Sequence, residues 1–473
     1  MAPARKQYIC TQCQATSPKW LGKCNDCGGW NTFEEQITAS SKSAVGVKSK
    51  GTVTASNPAQ LVKDISAESH KHKPTGIGEF DRVLGGGLIS GGVVLLAGSP
   101  GVGKSSLLAI VAHHLSQKDN VLYVSGEESI QQIKIRHERM NAMGEHLYLA
   151  SESDLAKVLW QIDDVNPKLL IVDSLQTIAS GDMDGRAGSV SQVVEVATIL
   201  TRLAKERGLP VIFVGHFTKD GNVAGPRVVE HLVDVVLAFE GEEDSPLRLL
   251  RGIKNRFGPA DEIGCFEHTE TGLEEVPDPS GLLLGSHDTD ISGVSTSIFL
   301  EGKRALPVEI QALVTASVLP NPRKVTSGLD APRTTMLQAV LQKHGGGEMR
   351  LADKDIYVST IGGMRIKEPA VDLATVIAVA SAQLNLVSRS DAVAMGEVTL
   401  SGEVRRSPGI NRRLAEAVRL GFKAALVPVG TKANLPKSIK DSGMIIIEIK
   451  DVSHAVSSVR AYALARDVMR DDD

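Results

Sequence analysis

Four short runs in the first half of the 473-residue chain are apolar at almost every position: VVLLA (93–97), VLYVS (121–125), LLIVD (169–173) and VIFVG (211–215). Runs this short, without alternation, fit strands buried on both faces. Between them lie segments such as SSLLAIVAHHL (105–115) and SVSQVVEVATILTRLAKERG (189–208), where apolar residues return every three or four positions. That spacing is helical. Strands alternating with helices predict an α/β fold around a mostly parallel sheet. Ligands of such sheets sit beyond the carboxyl ends of the strands. The runs end there in polar groups: Ser125, Asp173 and His216.

The link between the first two runs carries the clearest chemistry. Gly98-Ser99-Pro100-Gly101-Val102-Gly103-Lys104-Ser105, followed by Ser106, matches G-x-x-x-x-G-K-[ST] between a strand and a helix. Glycines let backbone N–H groups close around phosphate oxygens at the positive end of the following helix. Lys104 is expected to reach the β- and γ-phosphates of ATP, and Ser105 to ligate Mg²⁺. Asp173, at the end of a second buried run, is expected to hold the same Mg²⁺ through water. Glu127 or Glu128, just past VLYVS, stands where a general base polarises the attacking water. His216 is a candidate sensor of the γ-phosphate.

Length suggests about three domains. Four of the five cysteines crowd into the first 27 residues as Cys10-x-x-Cys13 and Cys24-x-x-Cys27, ten residues apart. Two CxxC turns complete a tetrahedral zinc site, and so short a segment needs the metal to fold. A C4 zinc ribbon is expected over 1–33, a tether over 34–63 whose stretch 37–60 is rich in Ser, Thr, Ala, Lys and Gly, a P-loop ATPase domain over 64–285 and a further domain over 286–473. The net charge of −4 offers no overall basic field, so any nucleic-acid contact has to come from local patches. MAPARKQYIC has no apolar signal core, and AVDLATVIAVASAQLNLV is interrupted by Asp372. Neither reads as a membrane segment, and a cytoplasmic location is expected.

TGIGEFDRVLGGGLISGGVVLLAGSPGVGKSSL resembles the RecA-like ATPase family. Together with CxxC…SPKWLGKCxxC, YVSGEES, GHFTKDGNVAGPRVVEHLVD and LLRGIKNRFG, it closely resembles a bacterial DNA-repair branch of that family over nearly the whole chain. In that branch Lys254-Asn-Arg256-Phe-Gly258 is a signature. Lys-x-Arg on a strand places both cations on one face about 7 Å apart, and the resemblance implies that Lys254 and Arg256 reach into a neighbour's nucleotide site. Two loops would face a ring channel and hold single-stranded DNA, one with Arg186 and one with Lys219 and Arg227. The C-terminal third resembles the α+β proteolytic domain of Lon. Lon's catalytic serine would lie in PAVDLA, which has none, and its lysine position falls on Arg413. Arginine stays protonated and cannot serve as the base, so a protease is not expected. The domain is instead expected to drive oligomerisation, with Arg405, Arg406, Arg412 and Arg413 either contacting DNA phosphates or standing solvated on a purely structural ring-former.

The resemblance implies a homohexameric, DNA-dependent ATPase. It would translocate on single-stranded DNA, promote branch migration or D-loop extension on branched DNA and work with the RecA recombinase. A nucleotide-gated ring scaffold and an ATP-dependent protease-like regulator are the competing readings.

Overall fold

A computed structural model describes residues 6–10, 16–17, 33–37, 61, 71–217, 223–224, 228–241, 245–285 and 291–471. The chain divides into two units, residues 1–66 and 67–473. In the first, β1 (Lys6–Cys10) is the middle strand of an antiparallel sheet between β2 (Thr16–Ser17) and β3 (Phe33–Ile37). Cys10 ends β1 opposite Phe33. Cys13, Cys24 and Cys27 lie outside the described residues.

The second unit is built on a ten-stranded sheet. Its strands are β4 (Val93–Gly98), β5 (Val121–Ser125), β6 (Leu147–Ser151), β7 (Leu169–Asp173), β8 (Val211–Phe217), β9 (Val223–Ala224), β10 (Val235–Glu240), β11 (Leu247–Asn255), β12 (Ile263–His268) and β13 (Leu273–Glu275). Their spatial order is 13-12-11-10-4-8-7-5-6, with β9 beside β8. The six strands from β10 to β6 run parallel, and β11, β12 and β13 extend the sheet antiparallel.

Alternation along each strand divides the apolar payload between two cores. Val94 and Leu96 face one core with Leu107, Leu108 and Val111 of the helix Lys104–Ser116. Val93 and Leu95 face the other with Val193, Val196 and Leu200 of the helix Val190–Arg207. Burial on both faces explains why β4, β5 and β7 are continuous apolar runs.

A seven-stranded sheet follows, spanning 294–449 and packed against the helices Ala331–His344 and Asp372–Leu384. Leu247 and Cys265, from β11 and β12, pack in one core with Leu306, Val308 and Ile310 of this second sheet. A buried clasp reinforces that contact. Glu79, 1% exposed, accepts the Cys265 N–H at 2.8 Å and forms a close ion pair with Arg304. Arg304 also donates to the carbonyls of Ile263 and Pro277, at 3.2 and 2.7 Å. The pairs Arg251–Glu301 (2.6 Å) and Arg419–Asp278 (2.9 Å) tie the same two regions together.

Burial pushes the Cys265 thiol up to about 11, so it stays protonated and weakly nucleophilic near neutrality. Iodoacetamide at pH 8 is expected to leave the Cys265 peptide unmodified in the native protein and to label it fully after urea. Peptide mapping checks this, and labelling of the native protein at the rate of an exposed thiol would contradict the packing.

Candidate nucleotide site

The carboxyl edge of the parallel sheet is where the four apolar runs end, and it brings Ser125 and Asp173 together. β4 ends at Gly98, where an added Cβ would lie 2.4 Å from the carbonyl oxygen of Phe239 in β10, so only glycine fits. The chain turns through Gly101 (φ 78°) and Gly103 (φ 109°), both in the left-handed region that favours glycine, and enters the helix at Lys104. The first N–H groups of that helix therefore open onto the loop, as anion binding requires. Lys104 is 5% exposed and donates to the carbonyls of Gly98 at 2.8 Å and Ser99 at 2.9 Å. Burial lowers its pKa, and the charges of Asp173 and Glu127 partly offset that.

The loop opens into a cleft of 340 Å³ whose lining includes Lys104, Ser105, Glu127, Glu128, Arg136 and Asp173. β5 and β7 are parallel neighbours with Ser125 level with Asp173, so both strands deliver their last residue to the same floor. Ser105 donates to Asp173 Oδ2 at 2.7 Å, and the buried Tyr123 hydroxyl donates to the same oxygen at 2.5 Å. Burial and the adjacent Asp173 carboxylate hold the Tyr123 phenol well above its usual range. A hydroxyl and a carboxylate converging next to a phosphate loop form a hard oxygen donor set, which suits Mg²⁺.

The two glutamates diverge. Glu128 forms a close ion pair with Arg136, in the helix Ile130–Arg139. Glu127 instead accepts from the Ser174 hydroxyl at 2.8 Å. Sequence reasoning overlooked Tyr123, Arg136, Ser174 and His268, all at or beside the cleft. Only Tyr123 left a signal, as a polar tip inside a buried apolar strand. β8 places His216 level with Gly98.

Lys254 and Arg256 lie at the other edge of the sheet. Lys254 is level with Val236, whose partner in β4 is Leu95. Roughly 10 Å of strand separates that level from Gly98, so neither cation enters the cleft of its own chain. β11 ends at Asn255, one residue before Arg256, so strand alternation does not carry the whole Lys-x-Arg pair as the spacing suggested. Lys254 caps helix Val228–Leu232 by donating to the carbonyls of Glu230 (2.7 Å) and Val233 (2.8 Å). Arg256 remains half-exposed, 3.4 Å from the buried carboxylate of Asp234.

Of the loop cations, Arg186 lies in an exposed segment, 181–188. That segment is anchored by buried Gln192, which donates to the carbonyls of Met183 at 2.7 Å and Ser180 at 3.2 Å and accepts the Ser180 N–H at 2.8 Å. Lys219 and Arg227 lie outside the described residues.

In the C-terminal region Arg405, Arg406 and Arg412 are exposed, but Arg413 is not. Its side chain is fully buried, forms a close ion pair with Glu368, and donates to the carbonyls of Ile298 (2.8 Å) and Pro408 (3.2 Å). The expectation that Arg413 contacts DNA is therefore corrected. Residues 412 and 413 stand about 100° apart around one helix, and only one of them faces water. Asp372, inside PAVDLA, is likewise buried and takes a two-pronged bond from Arg333 at 2.8 and 2.5 Å.

A phosphate loop at the carboxyl edge of a parallel sheet, with a carboxylate beside its serine, defines a RecA-like P-loop ATPase. An AAA domain family model matches residues 75–222, a rubredoxin metal binding domain model residues 8–35, and a Lon protease (S16) C-terminal proteolytic domain model residues 331–464. DNA repair protein RadA of Mycolicibacterium smegmatis is 44% identical over 98% of both chains. RadA of Mycobacterium tuberculosis is 48% identical over 90% of this chain and 89% of its own. RadA of Escherichia coli is 42% identical over 97% and 99%. The chain belongs to the RadA family of DNA repair proteins. No helix among the described residues is long and apolar enough to cross a membrane.

Removing Arg413 empties a fully buried side-chain site and leaves the half-buried Glu368 carboxylate with the Leu300 N–H but without its cation, so Arg413→Ala is expected to cost about 3–5 kcal/mol of stability. Arg412→Ala on the exposed side of the same helix should stay within about 0.5 kcal/mol. Urea denaturation of both variants measures the contrast, and equal losses would contradict the assignment of buried and exposed faces.

Proposed function

We propose that the chain is a DNA-dependent ATPase of homologous recombination, working as a homohexameric ring that translocates on single-stranded DNA. In this reading it promotes branch migration and D-loop extension on branched DNA alongside the RecA recombinase. One observation carries the proposal: the nucleotide cleft and the Lys254–Arg256 pair occupy opposite edges of one sheet. A cation pair remote from its own cleft supports a role at the cleft of the next subunit.

Within the cleft, Gly98 to Ser106 cradle the phosphates and Lys104 stabilises charge on the β- and γ-phosphates. Ser105 and Asp173 hold Mg²⁺, which neutralises charge developing on the phosphoryl oxygens when bound. Glu127 orients the attacking water and takes its proton. Its carboxylate accepts from the Ser174 hydroxyl, whereas that of Glu128 is committed to Arg136. Water then adds to the γ-phosphorus as the bond to the β-phosphate oxygen breaks. Arg256, supplied by the neighbour, stabilises the transferring group, and Lys254 accompanies it.

Arg186, Lys219 and Arg227 in the loops, and Arg405, Arg406 and Arg412 in the C-terminal domain, supply phosphate contacts without a chain-wide basic charge. Burial of Arg413 against Glu368 and of Asp372 against Arg333 supports a structural Lon-like domain rather than a protease. In the N-terminal ribbon, Cys10, Cys13, Cys24 and Cys27 bind zinc. Cytoplasmic action follows from the same reading.

Lys104→Ala is expected to reduce ATP hydrolysis on the order of 10²-fold or more and to abolish ATP-dependent branch migration in a strand-exchange assay. Hydrolysis persisting in that variant would remove the cleft from the mechanism. Arg256→Ala should bind nucleotide nearly normally yet lose DNA-stimulated turnover by about 10³-fold. Mixing it with Lys104→Ala subunits should restore part of the activity. A collapse of nucleotide affinity with normal turnover of bound ATP would overturn the trans assignment.

A further inference from the structure

We infer that Tyr123 is a positioning residue for the metal-binding carboxylate, its buried hydroxyl holding Asp173 in the orientation that receives the nucleotide's divalent cation. The inference rests on the ATPase reading of the cleft and adds a residue to it.

Tyr123 lies in the middle of β5, where every residue is buried, and its side chain has no solvent exposure. A phenolic hydroxyl in such a place is costly unless it donates a hydrogen bond. It donates to Asp173 Oδ2 at 2.5 Å. The backbone register sets Tyr123 level with Ile171, so the long side chain reaches two residues along the neighbouring strand to meet the terminal carboxylate. The ring cannot easily turn away. It packs edge-on against His137, with centroids 6.1 Å apart and planes at 89°, and His137 is fixed by Nδ1 to the Ala142 carbonyl at 2.9 Å.

Ser105 donates to the same Oδ2 at 2.7 Å. The two hydroxyls differ in what they can do. Ser105 lies on the half-buried lip of the phosphate loop, and its oxygen is the one a cation takes. Tyr123 lies behind the carboxylate, in the core. Its bond keeps the Asp173 plane from rotating when the Ser105 oxygen is engaged elsewhere. Hydrogen bonds from behind a ligand set its orientation, and their loss costs about 10- to 100-fold in metal affinity. Phenylalanine would fill the same space, so packing alone does not require the hydroxyl.

Tyr123→Phe in the full-length protein removes that hydroxyl and nothing else. Binding of Mn²⁺ in the presence of ADP, followed by electron paramagnetic resonance, should weaken about tenfold. The Mg²⁺ concentration giving half-maximal ATPase should rise by the same factor, with the rate recovering at saturating Mg²⁺. Nucleotide binding in EDTA and the melting temperature should stay as in the wild type. Unchanged Mn²⁺ affinity overturns the inference, and so does a loss of metal-free nucleotide binding and melting temperature that matches the loss of metal affinity. Failure of Lys104→Ala to stop hydrolysis would instead sink the ATPase reading, and the two failures are read in separate variants.

Discussion

An ionised carboxylate carried by an apolar strand to the edge of a buried sheet must be met by donors or by a cation. Asp173 is in that position at the end of β7, 8% exposed, and the rest of the cleft is arranged around it. β5 stops level with it, bringing Ser125 to the floor and Tyr123 to its back. The phosphate loop brings Ser105 to its front. Lys104, buried in the same loop, balances part of its charge. The parallel register makes this convergence reproducible, because strands that begin together end together.

The same requirement organises the molecule away from the cleft. Glu79 is satisfied by Arg304 and a backbone N–H from β12, which joins the ATPase sheet to the C-terminal sheet. Asp234 collects Lys205, Arg256 and the Val93 N–H at the opposite edge, so the half-exposed arginine is tethered to the strand that ends in the phosphate loop. In the C-terminal region the segments that resemble a proteolytic centre hold the pairs Arg413–Glu368 and Arg333–Asp372. Breaking a buried pair is costlier than never having built one.

Much of the cleft was legible because its parts are contiguous or locally patterned. Gly98 to Ser106 form one unbroken motif, and Asp173 closes an apolar run that can hardly be anything but a buried strand. Residues related only through space were less legible. Glu127 and Glu128 are adjacent and chemically alike, yet one faces Ser174 and the other is taken by Arg136, eight residues on in the next helix. Arg412 and Arg413 look equally suited to phosphate, yet one is fully buried. Lys254 and Arg256 read as one strand face, but the strand ends between them and each finds a different partner.

Short-range physics can be read from composition and spacing. Glycine where the backbone needs positive φ or close approach, apolar runs where a strand is covered twice, and helical periodicity between them determine a parallel α/β core with a phosphate loop at its carboxyl edge. Which of two neighbouring charges is buried, which hydroxyl stands behind a carboxylate and which edge of the sheet receives a cation pair depend on partners tens to hundreds of residues away. The residue types at these positions permit several pairings of similar energy. Only the closed core, by excluding water from some of them, selects one.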